Sequence, residues 1–176
     1  MPNTFLISDT HFGHNNMCVF KGKDGTANLR PWANAQEMDE AMIENWNSVV
    51  KPNDKVYHLG DVVIARRHLQ TLSRLNGDKI LIKGNHDIFK LPEYTQYFRD
   101  VRACHVMDMC VLTHIPIHKL CLARFKVNIH GHTHDRNVLL ENGEQDPFYM
   151  CVCVEQIHYT PISFDVVRQK IKDQTV

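Results

Sequence analysis

Five short islands in this sequence carry side chains able to bind hard or borderline cations: Asp9-Thr10-His11, Gly60-Asp61, Gly84-Asn85-His86-Asp87, Thr113-His114 and Gly131-His132-Thr133-His134. Each follows a short apolar run, and together they offer carboxylates, imidazoles and one amide. Two divalent ions held about 3.5–4 Å apart need several ligands each and one group shared between them. Asp61, standing alone after Gly60, suits the shared role because the two oxygens of a carboxylate diverge. Gly60 removes a side chain where the backbone would crowd the ions. Asp9-x-His11 and His132-x-His134 each set two ligands on one side of an extended segment. Asn85 adds a neutral oxygen and His114 a further imidazole. Mixed nitrogen and oxygen donors favour Mn first, with Fe, Zn or Ni as alternatives, over soft metals or a pure Ca or Mg site.

Two such ions lower the pKa of a shared water from about 15.7 toward about 7, which gives a bridging hydroxide able to attack phosphorus in line. The leaving oxygen then needs a proton. His86, beside Asn85 but spare in the ligand count, is placed to donate it or to neutralise the developing charge. A plainer account is that Asp, Asn and Gly simply form turns at strand ends. Turn chemistry gives no reason for histidines to recur beside them.

The elements that position these islands follow from the hydrophobic pattern. Residues 4–8 read as a buried strand ending at Asp9. Residues 12–32 are rich in Gly and aperiodic, so they read as a loop. Asn34 with Glu37 is a helix-start signal, and Met38, Ala41, Met42, Trp46 and Val49 continue at helical spacing to about residue 50. Residues 55–59 form a second strand, 66–75 a helix with Leu69, Leu72 and Leu75 on one face, and 78–83 a third strand. Beyond these, strands are expected at 101–107, 110–112, 126–129, 138–140, 148–154 and 162–164, with a hairpin at Asn142-Gly143 and a terminal helix over 165–172. Alternating strands and helices, with a motif at each strand's carboxyl end, imply an α/β fold whose ligands gather at those ends.

The 176 residues fit one domain spanning 1–176, and 43% hydrophobic content supports a core. Twenty basic and twenty acidic residues cancel, which argues against a broad nucleic-acid-binding face but leaves room for a small phosphate-bearing substrate such as a nucleotide. No run reaches the ~18 apolar residues of a membrane span, and the first residues lack a signal-peptide pattern. The six cysteines follow no metal-finger spacing, so reduced thiols in a cytoplasmic protein are expected, with Cys151 and Cys153 packing on one strand face. Histidine is the outlier: five of the twelve fall in the islands.

The islands resemble the motifs of the calcineurin-like metallophosphoesterase superfamily: D-x-H, G-D, G-N-H-D/E, a lone H and G-H-x-H, in that order. The stretch from Asp9 to Asn15, the Arg30-Pro31-Trp32 segment, Met38 through Trp46 and the tail around Tyr159 to Val166 are similar to small, cap-less bacterial and phage members. The resemblance implies a two-sheet sandwich flanked by helices, four layers α/β/β/α. It implies one ion on Asp9, His11, Asp61 and His134 and a second on Asp61, Asn85, His114 and His132, with His86 and the bridging Asp61 as catalytic residues. Many members carry an acidic residue three positions after the bridging Asp, and often an Arg beside it that clamps phosphate; this chain has Ile64 and Ala65. Asp87 or a backbone carbonyl is then expected to orient His86, and Arg66 or Arg67 to supply the clamp. His14 and Asn15 are expected to line the substrate cleft, and His58 and His130 to back the ligands. Lys21, Lys23 and Arg30 read as a solvated loop. The expected activity is phosphoester hydrolysis, diesters over monoesters. The alternatives are a phosphomonoesterase or phosphoprotein phosphatase, and a non-catalytic scaffold of the same fold.

Overall fold

The apolar runs before the first three islands become strands β1 (Thr4–Ile7), β2 (Lys55–His58) and β3 (Asp78–Ile82) of a computed structural model that describes residues 2–174. Helix α1 (Ala35–Val49) connects the first two; a short α2 (Leu91–Tyr94) precedes β4 (Asp100–Arg102). Then come β5 (His105–Met107), β6 (Cys110–Leu112), β7 (Val127–His130), β8 (Tyr149–Cys151), β9 (Ile162–Ser163) and α3 (Phe164–Gln174).

One sheet has the order β4-β3-β2-β1-β9, with β1 to β4 parallel and β9 antiparallel. The other has the order β5-β6-β7-β8, with β6, β7 and β8 parallel and β5 antiparallel. The fold is therefore mixed α/β with two mixed sheets. Leu6, Ile7 and Leu81 of the first sheet share one buried apolar cluster with Leu112 and Ile129 of the second. Each such side chain stabilises the fold by about 1.5–3 kcal/mol on burial. A parallel bridge between Ser8 and Cys153 joins the carboxyl ends of β1 and β8, so both sheets point their carboxyl ends into one region. All five islands follow such ends.

Helix α1 forms as its sequence signals. Asn34 Oδ1 accepts from Glu37 N–H at 3.0 Å, a cap worth about 1 kcal/mol. Met38, Met42, Ile43 and Trp46 form its buried stripe, and Trp46 Nε1–H donates to Asn76 O at 2.9 Å. The helix expected over 66–75 forms as a 3₁₀ helix, Arg66–Arg74. Its leucines recur every three residues, which matches three residues per turn better than 3.6. The strand expected over 101–107 divides, β4 joining one sheet and β5 the other. The expected strand at 138–140 reduces to a single bridge, Leu139 to Gln145, closing the Asn142-Gly143 hairpin. Among the described residues no helix is long and apolar enough to cross a membrane.

Candidate metal centre

Hydrogen bonds tie the five islands together. Asp9 N–H donates to Gly60 O at 2.9 Å, and His11 N–H to Asp61 O at 3.0 Å. Gly131 N–H donates to His114 O at 2.9 Å, and His132 N–H reaches Asp9 Oδ2 at 2.9 Å. Asp87 fastens the second island to the third: Oδ2 accepts from Asp61 N–H and Gly84 N–H, both at 2.8 Å, and Oδ1 from Val62 N–H at 3.0 Å. Its carboxylate is thus occupied by backbone, which overturns the expectation that it orients the His86 ring. Gly60 (φ +99°) matters for packing between loops rather than beside ions: a Cβ there would lie 2.6 Å from Gly84 N and 2.7 Å from His114 Nδ1.

Two clusters of ligand-type atoms result, Asp9 with His11 and His134, and Asp61 with His114 and His132. Three donors saturate Asp9 Oδ2: Ser8 Oγ–H at 2.5 Å, Cys153 Sγ–H at 3.2 Å and His132 N–H. Its Oδ1 is buried without a hydrogen-bond partner, as are both ring nitrogens of His11. Oδ1 stands 3.7 Å from His11 Nε2 and 3.8 Å from His134 Nε2. Orphaned buried atoms of this kind cost about 1–3 kcal/mol each unless something satisfies them. Separations too long for hydrogen bonds but close to the edges of a coordination shell with legs of about 2 Å fit a shared cation.

Asp61 departs from the expected two-oxygen bridge. Oδ1 accepts His86 N–H at 2.8 Å, and Oδ2 alone faces both clusters, 3.7 Å from His11 Nε2 and 3.4 Å from His114 Nε2. Asn85 Oδ1 completes the second cluster, 2.8 Å from His114 Nε2 and 3.0 Å from His132 Nδ1. Five of these residues, Asp9, His11, Asp61, His132 and His134, have φ between 49° and 70°. A left-handed backbone is uncommon for non-Gly residues and gathers at functional sites.

Electrostatics follows burial and company. Burial alone would raise the Asp9 carboxyl, but His11, His114 and His134 hold it far below the usual range. Burial pushes His114 down, yet Asp61, Asp9 and the Leu59 carbonyl outweigh it and lift its pKa to about 8. His114 Nδ1–H donates to Leu59 O at 2.7 Å, which leaves Nε2 aimed at the cluster. His58 backs the islands as expected: it accepts Gly60 N–H on Nδ1 and meets Thr10 Oγ1 at 3.0 Å, and burial keeps it neutral with a pKa of about 3. His130 is buried too, with Nδ1 2.7 Å from Gly131 O.

His86 is exposed, its ring 5.7 Å from that of His11. The His14 ring also neighbours that of His11, at 5.9 Å, and packs edge-on against Phe20 at 6.0 Å. Asn15 does not join them; its Oδ1 accepts Ala35 N–H at 3.0 Å and fixes the loop to α1. Arg66 is also spent elsewhere, paired with Glu93 at 2.9 Å and stacked on Phe89 at 5.4 Å. Arg30, expected in a solvated loop, is fully buried and bonded to the Asp9 and Thr10 carbonyls and to Glu155. Glu155 in turn meets His134 Nδ1 at 3.2 Å. Ser8, Cys153 and Glu155 carry no motif spacing, so only their position against Asp9 and His134 marks them.

Two clefts adjoin the clusters. One, of about 540 Å³, is lined by Lys21, His132, His134 and Arg136; the other, of about 480 Å³, by Lys83, Asn85, Ile88 and Arg102. Asn85, which lines the second, stands 3.0 Å from His132, which lines the first.

Fold and centre together define an α/β protein with two adjoining groups of cation-type ligands at the carboxyl ends of its sheets. The chain belongs to the same family as the uncharacterized protein MJ1445 of Methanocaldococcus jannaschii, to which it is 33% identical over 186 residues, covering 98% of this chain and 93% of that protein. The Gene 66 protein of Mycobacterium phage L5 is 34% identical over 92 residues, 49% of this chain and 41% of that one. The crystal structure of AQ665 from Aquifex aeolicus, a protein of unknown function, shares the fold with a TM-score of 0.70 at 24% identity, covering 96% of this chain and 99% of that one. No model of a protein family matches the chain.

Proposed function

We propose that this chain is a two-metal phosphoesterase of the calcineurin-like metallophosphoesterase superfamily, its two sheets forming the inner layers of that superfamily's α/β/β/α sandwich. The observation that carries the reading is Asp61 Oδ2, set between two triads whose remaining atoms include buried orphans. Asp9, His11, His134 and Asp61 would hold one divalent ion, and Asp61, Asn85, His114 and His132 the other. Bound there, the ions supply Lewis acidity that acidifies water and offsets charge on a phosphoryl group. The donor set favours Mn, with Fe, Zn or Ni as alternatives.

The chain's own groups do the rest. His86 N–H holds Asp61 Oδ1, which leaves Oδ2 free to face both clusters. The exposed His86 imidazole donates a proton to the leaving oxygen. His14 lines the space on the other side of His11 and contacts a phosphoryl oxygen. Clefts on both sides of the centre favour a phosphodiester, because a diester carries an organic arm on each side of phosphorus and a monoester only one. Lys21 and Arg136 on one side and Lys83 on the other suit a small nucleotide-derived substrate. The free thiols among the described residues fit a cytoplasmic setting.

The test is hydrolysis of bis(p-nitrophenyl) phosphate and p-nitrophenyl phosphate by chelator-stripped protein, with Mn, Ni, Zn and Mg added back in turn. The expected result is metal-dependent turnover, faster on the diester and lost in His86→Ala. Two bound ions with no turnover of either ester would point instead to an interaction scaffold.

A further inference from the structure

The two candidate ion sites differ in what stands behind their histidines. His114 is backed by a neutral carbonyl, Leu59 O. His134 is backed by a carboxylate, Glu155, whose side chain is 3% exposed. Glu155 is itself braced by Arg30, which is 0% exposed. All the polar contacts converge on one oxygen: Arg30 Nε–H and an Arg30 terminal N–H at 2.9 Å, and His134 Nδ1 at 3.2 Å, meet Glu155 Oε1. Oε2 is buried with no partner. Buried ion pairs are in any case a weak source of stability, because desolvation offsets attraction. The same guanidinium also donates to Asp9 O at 2.6 Å and Thr10 O at 2.7 Å, inside the left-handed turn that carries Asp9 and His11.

We infer that Glu155, braced by Arg30, is a positioning residue for His134 and sets the affinity of the Asp9–His11–His134 cluster for its ion. The inference rests on the metal reading above. Glu155 fixes the proton of His134 on Nδ1, so that Nε2 presents its lone pair toward Asp9 Oδ1. Its negative charge makes that nitrogen a stronger donor. Arg30 holds Glu155 and the Asp9 turn at a fixed separation, so one cation sets the relative place of three ligands. The second cluster has no such brace, and its Asn85 and His132 stand exposed.

The experiment is calorimetric titration of chelator-stripped full-length protein with Mn, which in the native chain gives two binding steps. Glu155→Gln weakens one step about 10–100-fold and leaves the other within about twofold. His134→Ala weakens the same step, and Glu155→Gln adds less than about threefold in the His134→Ala background, as expected of two residues acting as one unit. Glu155→Asp keeps the charge beside Arg30 while drawing the carboxylate back from the imidazole, and weakens the same step less. It serves as the folded variant should Glu155→Gln not fold. Equal weakening of both steps, a full additional effect in the His134→Ala background, or unchanged affinity in a folded Glu155 variant overturns the inference and leaves the metal reading standing. A native chain that binds no Mn overturns both.

Discussion

The Asp9 cluster and the Asp61 cluster face each other across Asp61 Oδ2, 3.7 Å from His11 Nε2 and 3.4 Å from His114 Nε2, and differ in almost everything else. Asp9 and His11 are buried and carry orphaned atoms, and His134 is charge-backed through Glu155 and Arg30. The Asp61 cluster leans on a neutral amide, a carbonyl-backed His114 and an exposed His132, and it opens onto both clefts. The Asp9 cluster is the more buried of the two and the Asp61 cluster the more exposed. Ligand count alone makes the two look equivalent, and only burial and the groups behind the ligands separate them.

The sharpest way to break this comparison is Asp61→Ala, which removes the oxygen that faces both clusters. Both Mn steps should weaken and turnover should fall below detection; retention of two native-strength steps would remove Asp61 from its bridging place. Next in size, His86→Ala should keep both ions while kcat falls about 10²–10⁴-fold, the usual range for a lost general acid. Full turnover in that variant would mean that His14 or water supplies the proton. Asn85→Ala should then weaken one Mn step about tenfold or more and spare the step that Glu155 controls, because Asn85 touches only the open cluster. Loss of both steps together would make the two clusters one site.

The smallest effect lies behind the Asp9 side. Asp39 accepts Gly13 N–H at 3.0 Å, and burial raises its carboxyl from 3.8 to about 6. A folded pKa above the unfolded one means that the protonated form favours folding. Its contribution is therefore full below pH 3.8 and is lost as pH rises to about 6. Relative to the native chain, Asp39→Asn should gain melting temperature across that window and level off above it. A flat difference would show that Asp39 stays ionised throughout.

The gathering of these side chains was legible because each sits where an apolar run ends, and strand ends in parallel sheets collect at one side. Helix α1 was legible from Asn34, Glu37 and its stripe. The groups behind the ligands were not. Glu155 lies 21 residues from His134 and Arg30 lies 125 from Glu155, and nothing periodic relates them. Asp87 stood next to His86 in sequence yet turns its carboxylate to three backbone N–H groups, a choice set by the approach of two loops rather than by any local pattern. The 3₁₀ segment at Arg66–Arg74 and the division of 101–107 between sheets arise in the same way, from packing that a window of neighbours does not contain.

The five left-handed positions in the centre have a consequence for inheritance. Glycine adopts that backbone freely, whereas other residues are held there at a cost of order 1 kcal/mol or more. At the exposed His132, replacement by glycine would relieve the backbone while deleting a candidate ligand. A His132→Gly chain should therefore melt at a higher temperature than the native one. Loss of this side chain would be recorded as a gain in heat resistance rather than as decay.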